Sequence, residues 1–301
     1  MIKGFNEFKK SLNEEAGEGE GLSSFMQFLV NKRREARGLS ALQGIKQKTG
    51  EEVDIQDVPG VSPVKGEIDI ESPSVPEKEM VKKIVTALKK YGIVNPLVQK
   101  AILSVIGKES GFKIGRDEVS YKGTSNSRIR NIFGKRVKNL SDDELTQLKS
   151  NDSKFWDRVY GPDDPTGMSQ KYGNTSKGDG AKYLGRGFNQ ITFKSNYKKY
   201  MDLLSKNGTV ADLVNSPKLL YDPEIAAEVN ALYFVDGLAS KLSKKKYGND
   251  DPNDFKDFKT ALKAATNANA GWGRNIEGSE DLRKAEAYSA KFDVTDISKM
   301  A

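Results

Sequence analysis

The feature that most constrains the fold is a pair of successive helical patterns between residues 81 and 106. In the first, apolar residues recur at the spacing of one helix face, at Val81, Ile84, Val85 and Leu88. Gly92 then marks a stop, and Asn95-Pro96 is typical of a helix start, with an N-cap and proline at the first helical position. The second helix is predicted to end at Gly111. Its apolar residues are Val98, Ala101, Ile102, Val105 and Ile106.

Helical signals return in the C-terminal third of the chain. They begin after Ser195, after Asp222-Pro223, near Phe255 and after Ser279. Residues 113–190 differ, because they are rich in Gly, Ser and Asn, and we expect an irregular lobe with a small sheet there. The sequence therefore predicts an α+β class that is predominantly α-helical, with a small irregular β region.

The first 79 residues differ in composition from the rest. Residues 1–48 read as two short helices with too few apolar residues for a core, and residues 49–79 as an acidic, proline-containing linker or docking arm. Residues 1–79 hold 11 basic and 15 acidic side chains, a net −4. Because the whole chain carries +7, the predicted main domain, residues 80–301, carries +11. Such a domain suits an anionic partner such as nucleic acid, anionic lipid or a bacterial cell wall, although surplus lysine also serves solubility.

The absence of cysteine and histidine limits the chemistry. There are no disulfides or thiolate nucleophiles, no serine–histidine triad and no histidine base or metal ligand. Acid–base work must fall to Asp, Glu, Lys or Tyr, and without a phosphate loop or zinc or calcium spacing we expect no cofactor and no metal. We also recognise no nucleic-acid motif, no membrane-spanning stretch and no signal peptide, so neither nucleic acid nor a membrane span is expected.

Glu109 is the first candidate for acid–base chemistry. It lies 4, 7 and 11 residues beyond Val105, Ile102 and Val98, and so shares their apolar face at the end of the second helix. We expect its carboxyl to be partly desolvated there, which suits a general acid. The alternative is a surface glutamate at a frayed helix end.

Ordered motifs accompany Glu109 along the chain. They are Gly107-Lys-Glu109-Ser-Gly-Phe112 with Glu118 nine residues after Glu109; Tyr172-Gly-Asn174 and Gly178-Asp-Gly180; Tyr183-Leu-Gly-Arg-Gly187-Phe-Asn-Gln190-Ile-Thr192-Phe-Lys-Ser-Asn196-Tyr197; Asn215-Ser-Pro-Lys-Leu-Leu-Tyr-Asp-Pro-Glu-Ile-Ala-Ala227; and Thr266-Asn-Ala-Asn269-Ala-Gly-Trp-Gly. Together they resemble the family 19 glycoside hydrolases, which include plant-type chitinases and many bacteriophage endolysins that degrade peptidoglycan. The resemblance covers about residues 80–290. It departs at Lys108, where relatives commonly have His, at Ser110-Gly-Phe112, and at Ala270, where they have Gly.

The resemblance implies hydrolysis of a sugar linkage by two carboxyl groups, with inversion, on a two-lobed, lysozyme-like domain. Glu109 would protonate the leaving oxygen and Glu118 would activate water, with about 6.5 to 9.5 Å between the two carboxyl groups. Asp117 and Glu144 remain alternatives for the second carboxyl group.

The resemblance also implies a set of substrate-binding residues. Gln190 and Thr192 would hold the water or the N-acetyl group of the sugar, and Arg274 would contact the groove or pair with a carboxylate. The residues expected to line the groove are Tyr183, Asn196, Tyr197 and Asn269. For Tyr197 a core stripe with Tyr200, Met201 and Leu204 is an equally good interpretation.

We expect peptidoglycan as the substrate, because a cationic domain would be drawn to an anionic wall. Delivery would come from a phage virion, with residues 1–79 docking to tail or baseplate proteins, or from the host cytoplasm on release to the wall. The alternatives are a lytic transglycosylase or chitinase that uses Glu109, and a non-catalytic structural tail or wall-binding protein.

Overall fold

The structure is a computed structural model that describes residues 76–114, 120–242, 244–270 and 276–300. Contacts divide the chain into two units, of which the second comprises residues 70–205 and 209–301. The predicted N-terminal segment, and the predicted linker up to residue 75, lie outside the described residues. All that follows concerns the second unit.

The described residues are predominantly helical, as the sequence predicted. The α-helices are α1 (Glu77–Lys90), α2 (Pro96–Ser110), α3 (Asn126–Phe133), α4 (Asp142–Lys149), α5 (Asp152–Tyr160), α6 (Met168–Lys171), α7 (Asp179–Lys182), α8 (Lys194–Lys206), α9 (Pro223–Lys241), α10 (Lys244–Tyr247), α11 (Phe258–Asn269), α12 (Glu280–Ser289) and α13 (Val294–Lys299). Short 3₁₀ turns occur at Gly134–Arg136, Pro217–Tyr221 and Pro252–Asp254. Helix α1 begins at Glu77, so the last residues of the predicted linker belong to a helix.

Local sequence explains where α2 begins and ends. The side chain of Asn95 accepts a hydrogen bond from the Leu97 amide at 2.9 Å, and Pro96 occupies the first helical position. At the other end Gly111 takes a left-handed conformation with φ of 59°, which glycine adopts without strain. Both ends lie where the sequence predicted them.

Helix α2 is the centre of the main core. Its residues from Val98 to Gly107 are buried except for the half-buried Lys100, and α11, α12 and α13 pack against it. Helix α9 packs against α1 and α11 and is apolar around most of its circumference, so it is also largely buried. This packing brings the ends of α2 and α11 together, and the site lies there.

Residues 120–193 fold differently from the prediction. Where we expected an irregular lobe with a small sheet, the chain forms the short helices α3 to α7 around an aromatic cluster. The rings in contact include Tyr121, Phe133, Phe155, Trp156 and Tyr160. Among the described residues of this region the strand pairing is a single antiparallel bridge, Arg186 with Ile191. Aromatic burial stabilises these helices although each is too short to be stable alone.

Candidate active site

Glu109 lies in the last turn of α2. The preceding residues of the same face, Val98, Ile102 and Val105, are buried, but the Glu109 side chain is 42% exposed. The expected desolvation of its carboxyl is therefore wrong, because the apolar face reaches the protein surface just before Glu109. An exposed carboxyl at the end of a buried helix is accessible to a ligand.

One oxygen of the Glu109 carboxyl is held by two donors. Oε1 lies 2.7 Å from Nζ of Lys108 and accepts a hydrogen bond of 2.9 Å from Nδ2 of Asn269, the last residue of α11. Within the described part of the chain, Oε2 has no hydrogen-bond or ion-pair partner. The carboxyl is thus oriented through one oxygen, and the other is available for proton transfer.

Tyr233, on α9, is hydrogen-bonded to Asn269. Its hydroxyl donates to the Asn269 carbonyl at 3.2 Å. Burial raises the pKa of Tyr233, and the negative charges of Asp236 and Glu109 raise it further. Asp236 pairs with Lys199 at 2.6 Å. The negative charges of Glu109, on α2, and Asp236, one turn along α9, therefore both act on Tyr233.

Residues 186–191 form a tight hairpin. The Arg186 amide donates to the Ile191 carbonyl at 3.2 Å, and the Ile191 amide donates to Arg186 at 2.8 Å. Gly187 turns the chain with φ of 70°, and the exposed Gln190 follows with φ of 49°. Gln190 lies next to the closing pair of the hairpin, and its Nε2 donates to the Gly187 carbonyl at 3.1 Å.

The polar side chains that follow the turn are organised locally. Thr192 Oγ1 donates to the Gln190 carbonyl at 2.9 Å, and Asn196 Nδ2 donates to the Thr192 carbonyl at 2.7 Å. A Cβ atom at Gly185 would lie 2.9 Å from Gln190 Oε1 and 3.3 Å from Thr192 Oγ1. Glycine at position 185 thus leaves the space in which the side chains of Gln190 and Thr192 meet.

Helix α9 connects the hairpin with Asn269. Asn230 Nδ2 donates to Oδ1 of Asn189 in the hairpin at 2.7 Å, and Tyr233, three residues further on, bonds Asn269. Three residues of helix rise about 4.5 Å. The hairpin and the end of α11 are thus fixed to adjacent turns of one buried helix, and Glu109 is bound to the latter.

Backbone strain coincides with the predicted motifs. In the described ranges, the non-glycine residues with positive φ are Phe112, Gln190 and Phe193. Phe112 follows the Glu109 turn, and the other two belong to the hairpin segment. Left-handed conformations of such residues cost of order 1–3 kcal/mol and are concentrated at functional sites.

Tyr183 and Tyr197 do not line a groove, contrary to the implication of the resemblance. Both are buried, and their rings contact each other with centroids 5.4 Å apart. The Tyr197 hydroxyl donates to the Leu184 carbonyl at 2.7 Å, and burial raises the pKa of Tyr183 to about 12. The two aromatic rings form a hydrophobic base for the hairpin, so the core-stripe interpretation of Tyr197 is correct.

The predicted second carboxylate, Glu118, lies outside the described residues, as do its alternative Asp117 and the groove candidate Arg274. Glu144 has a structural role at the start of α4. Its carboxylate accepts hydrogen bonds from the Ser141 amide and hydroxyl in a capping box, which lowers its pKa.

The Gly178-Asp-Gly180 motif is also structural. The Asp157 carboxylate on α5 accepts hydrogen bonds from the amides of Gly178 and Gly180, at 2.8 and 3.1 Å. A Cβ atom at Gly180 would overlap the Trp156 backbone. These glycines therefore dock α7 against α5.

Three residues near the predicted site were missed by the sequence analysis. Tyr233 and Asp236 lie on α9, whose apolar residues occur on all sides, so no single face of this helix stood out in the sequence. Their spacing from Asn230 was the available signal. Tyr172 is 38% exposed and stacks on Phe193 with centroids 5.5 Å apart. Its exposed ring adds an aromatic surface beside the hairpin.

A separate open cleft of about 760 Å³ lies between α4, α5 and the Gly178 turn. Its lining includes Lys154, Asp157, Arg158 and Lys177, and it shares no residue with the Glu109 cluster. No group of acidic side chains in the described ranges could hold a metal ion. None of the described helices is long and apolar enough to cross a bilayer.

In comparisons with known proteins, the chain matches no protein-family model and no curated protein.

Proposed function

We propose that the protein is a glycoside hydrolase that cleaves the glycan strands of peptidoglycan, with Glu109 as the general acid. The observation that carries this proposal is the asymmetry of the Glu109 carboxyl. Oε1 is held by Lys108 and Asn269, the side chain is 42% exposed, and Oε2 has no partner in the described chain. A positioned, accessible carboxyl is what protonation of a glycosidic oxygen requires.

The hairpin supports a substrate rich in amide and hydroxyl groups. Gln190 near the end of the hairpin is exposed, Thr192 after it is half-buried, and the exposed Tyr172 ring stacks on Phe193. N-acetylated sugars offer hydrogen-bonding amides and apolar ring faces to such a surface. Asn196 contributes to this surface through its contact with Thr192.

A two-carboxylate mechanism needs a base that activates water on the opposite face of the sugar. Glu118 is our proposal for this base, on the resemblance alone. Asp236 is the competing candidate from the described chain, because its charge, like that of Glu109, raises the pKa of Tyr233. Its pairing with Lys199 makes it the weaker candidate, since that ammonium already occupies one of its oxygens.

The finer features of the fold belong to the same proposal. The domain would be lysozyme-like and two-lobed, with the Glu109 cluster facing the hairpin across the substrate. Residues 1–79, with their net −4, would dock to phage tail or baseplate proteins, and the net +11 of residues 80–301 would favour the anionic wall. The protein would act from the virion or after release from the host cytoplasm.

The test is mass analysis of the products that the full-length protein releases from purified peptidoglycan sacculi. We expect reducing-end muropeptides from the natural chain and none from Glu109→Gln. Loss of product in Glu118→Gln but not in Asp236→Asn would identify Glu118 as the base. Glu144→Gln is the matched control, because that carboxylate caps α4 and its removal leaves the cluster around Glu109 intact.

Other products would identify the alternatives. Anhydro-sugar ends that need Glu109 but neither Glu118 nor Asp236 would indicate a lytic transglycosylase, and cleavage of chitin in place of sacculi would indicate a chitinase. No product from either polymer, with a folded protein, would contradict the enzymatic proposal and favour a structural tail or wall-binding protein.

A further inference from the structure

Lys108 bridges Glu109 to a second acid from a distant part of the chain. Its side chain is 7% exposed, and its Nζ lies 2.9 Å from Asp281 Oδ1 as well as 2.7 Å from Glu109 Oε1. Burial opposes the charge of Lys108, but the hydrogen bonds to Glu109 and Asp281 outweigh burial and raise its pKa. Lys108 therefore remains a cation at neutral pH, although it is nearly enclosed by protein.

Helix α12 fixes Asp281 in this position. Asp281 lies in its first turn, and Tyr288 follows two turns later on the same face. A Cβ atom at Gly107 would overlap the Tyr288 ring, so α12 packs directly on the backbone of α2 one residue before Lys108. The Phe112 ring contacts Tyr288 and Phe292, with centroids 6.2 and 5.8 Å apart. The register between α12 and the end of α2 is thus closely defined.

We propose that Lys108 and Asp281 are positioning residues for Glu109, and that their opposite charges tune its proton transfer in opposite directions. This inference rests on the proposed function. As the Oε2–H bond breaks and the proton moves to the glycosidic oxygen, negative charge develops on the Glu109 carboxylate. The Lys108 ammonium stabilises that charge at Oε1, and Asp281 offsets part of the ammonium charge.

Neighbouring helices also contribute polar groups to this site. Helix α9 contributes the Tyr233 hydroxyl, and α11 contributes the neutral amide of Asn269. Helix α13 packs against α2 too, but the Asp293 that precedes it interacts with Lys100, near the start of α2. The effects of Lys108 and Asp281 can therefore be separated by single substitutions.

The experiment follows the titration of the Glu109 carboxyl by ¹³C NMR in the full-length protein, alongside the pH–rate profile on sacculi. In Lys108→Met we expect the midpoint to move to higher pH, because the ionised form loses its cation. In Asp281→Asn it should move by less and to lower pH, and Lys108→Arg should restore most of the natural value. Glu280→Gln is the control, since Glu280 pairs with Lys284 on the exposed side of the same helix.

Opposite shifts in the two variants support the proposal, because a merely structural pair would lower activity or melting temperature without moving the midpoint. Unchanged midpoints, or shifts in the same direction, overturn it. If Lys108→Met does not fold, the downward shift in Asp281→Asn and its absence in Glu280→Gln decide the matter. Opposite midpoint shifts in a protein that releases no product would leave the positioning intact and contradict only the proposed function.

Discussion

Glu109 and Gln190 are both exposed, but different parts of the structure hold them in place. Glu109 owes its position to helices that meet from distant parts of the sequence, since Asn269 closes α11 and Asp281 begins α12. Gln190 owes its position to the backbone of a six-residue turn, since its Nε2 donates to the Gly187 carbonyl and the adjacent Gly185 leaves room for its side chain. The first arrangement depends on helix packing and the second on local conformation, so they should respond differently to substitution.

The largest expected effect is at the base of the hairpin. Tyr197→Ala should destabilise the protein by about 3 to 5 kcal/mol, because it removes a fully buried ring and leaves a cavity. Chemical denaturation measures the change. Tyr172→Ala, which removes an exposed ring, should cost far less. Equal costs would mean that the hairpin does not rest on the Tyr183 and Tyr197 pair.

The next effect tests the helix packing around Glu109. Gly107→Ala should cost about 1 to 3 kcal/mol, because the added methyl group overlaps the Tyr288 ring. Thermal melting and product release should fall together, since α12 carries Asp281. Gly123→Ala has open space around its Cβ and is the matched control. A Gly107→Ala protein with unchanged stability and activity would show that α12 is not closely packed there.

A somewhat smaller loss of stability is expected on α9, the helix that is hydrogen-bonded both to the hairpin and to Asn269. Burial opposes ionisation of Glu228, but hydrogen bonds from Lys90, Tyr91 and Thr209 outweigh burial and lower its pKa. The stabilisation is therefore complete above the ordinary glutamate pKa and is lost as pH falls through the lower value of the folded state. At pH 7 Glu228→Gln should lose about 1 to 2 kcal/mol of unfolding free energy.

Denaturation at several pH values checks this prediction. The difference between the natural chain and Glu228→Gln should shrink as the pH falls below about 4.3. Glu224→Gln is the control, because Glu224 lies on the same helix as Glu228 but is exposed and pairs with Lys83 of α1. A gap that stays constant with pH would assign the effect to packing and not to the charge.

The smallest stability effect, and the most selective, is expected at Gly185. A methyl group there would displace the flexible end of Gln190, so Gly185→Ala should cost less than about 1 kcal/mol. Product release should nevertheless fall roughly tenfold or more, because Gln190 loses its place. Activity assays beside thermal melts separate the two readouts. Full activity in Gly185→Ala would remove Gln190 from the proposed site.

Local signals predicted a large part of this fold. The Asn95 cap, the Gly111 stop and the Asp222 and Ser279 caps all lie where the sequence placed them, because these features depend on a few neighbouring residues. The short helices between residues 126 and 182 were missed, since burial of aromatic residues across the cluster stabilises them more than local propensity does.

The candidate site was less predictable because its contacts are long-range. The motif indicated Asn269, and the structure places its amide on Glu109, but nothing local showed that Glu109 would be exposed. Lys108 stood out only as a departure from the family pattern, and its partner Asp281 is 173 residues away. Tyr183 and Tyr197 were assigned to a groove by the resemblance alone, and a motif does not show which of its aromatic residues are buried.

The separation of Glu109 from its partners has a consequence for the order of folding. Its contacts with Asn269 and, through Lys108, with Asp281 close loops of 160 and 173 residues. Contacts of such sequence separation form late, after the local helices. A nascent chain synthesised as far as α9 would contain Glu109 and the whole hairpin, yet none of the side chains that come from α11 and α12. We therefore expect the proposed activity to appear only when α11 and α12 have packed onto α2.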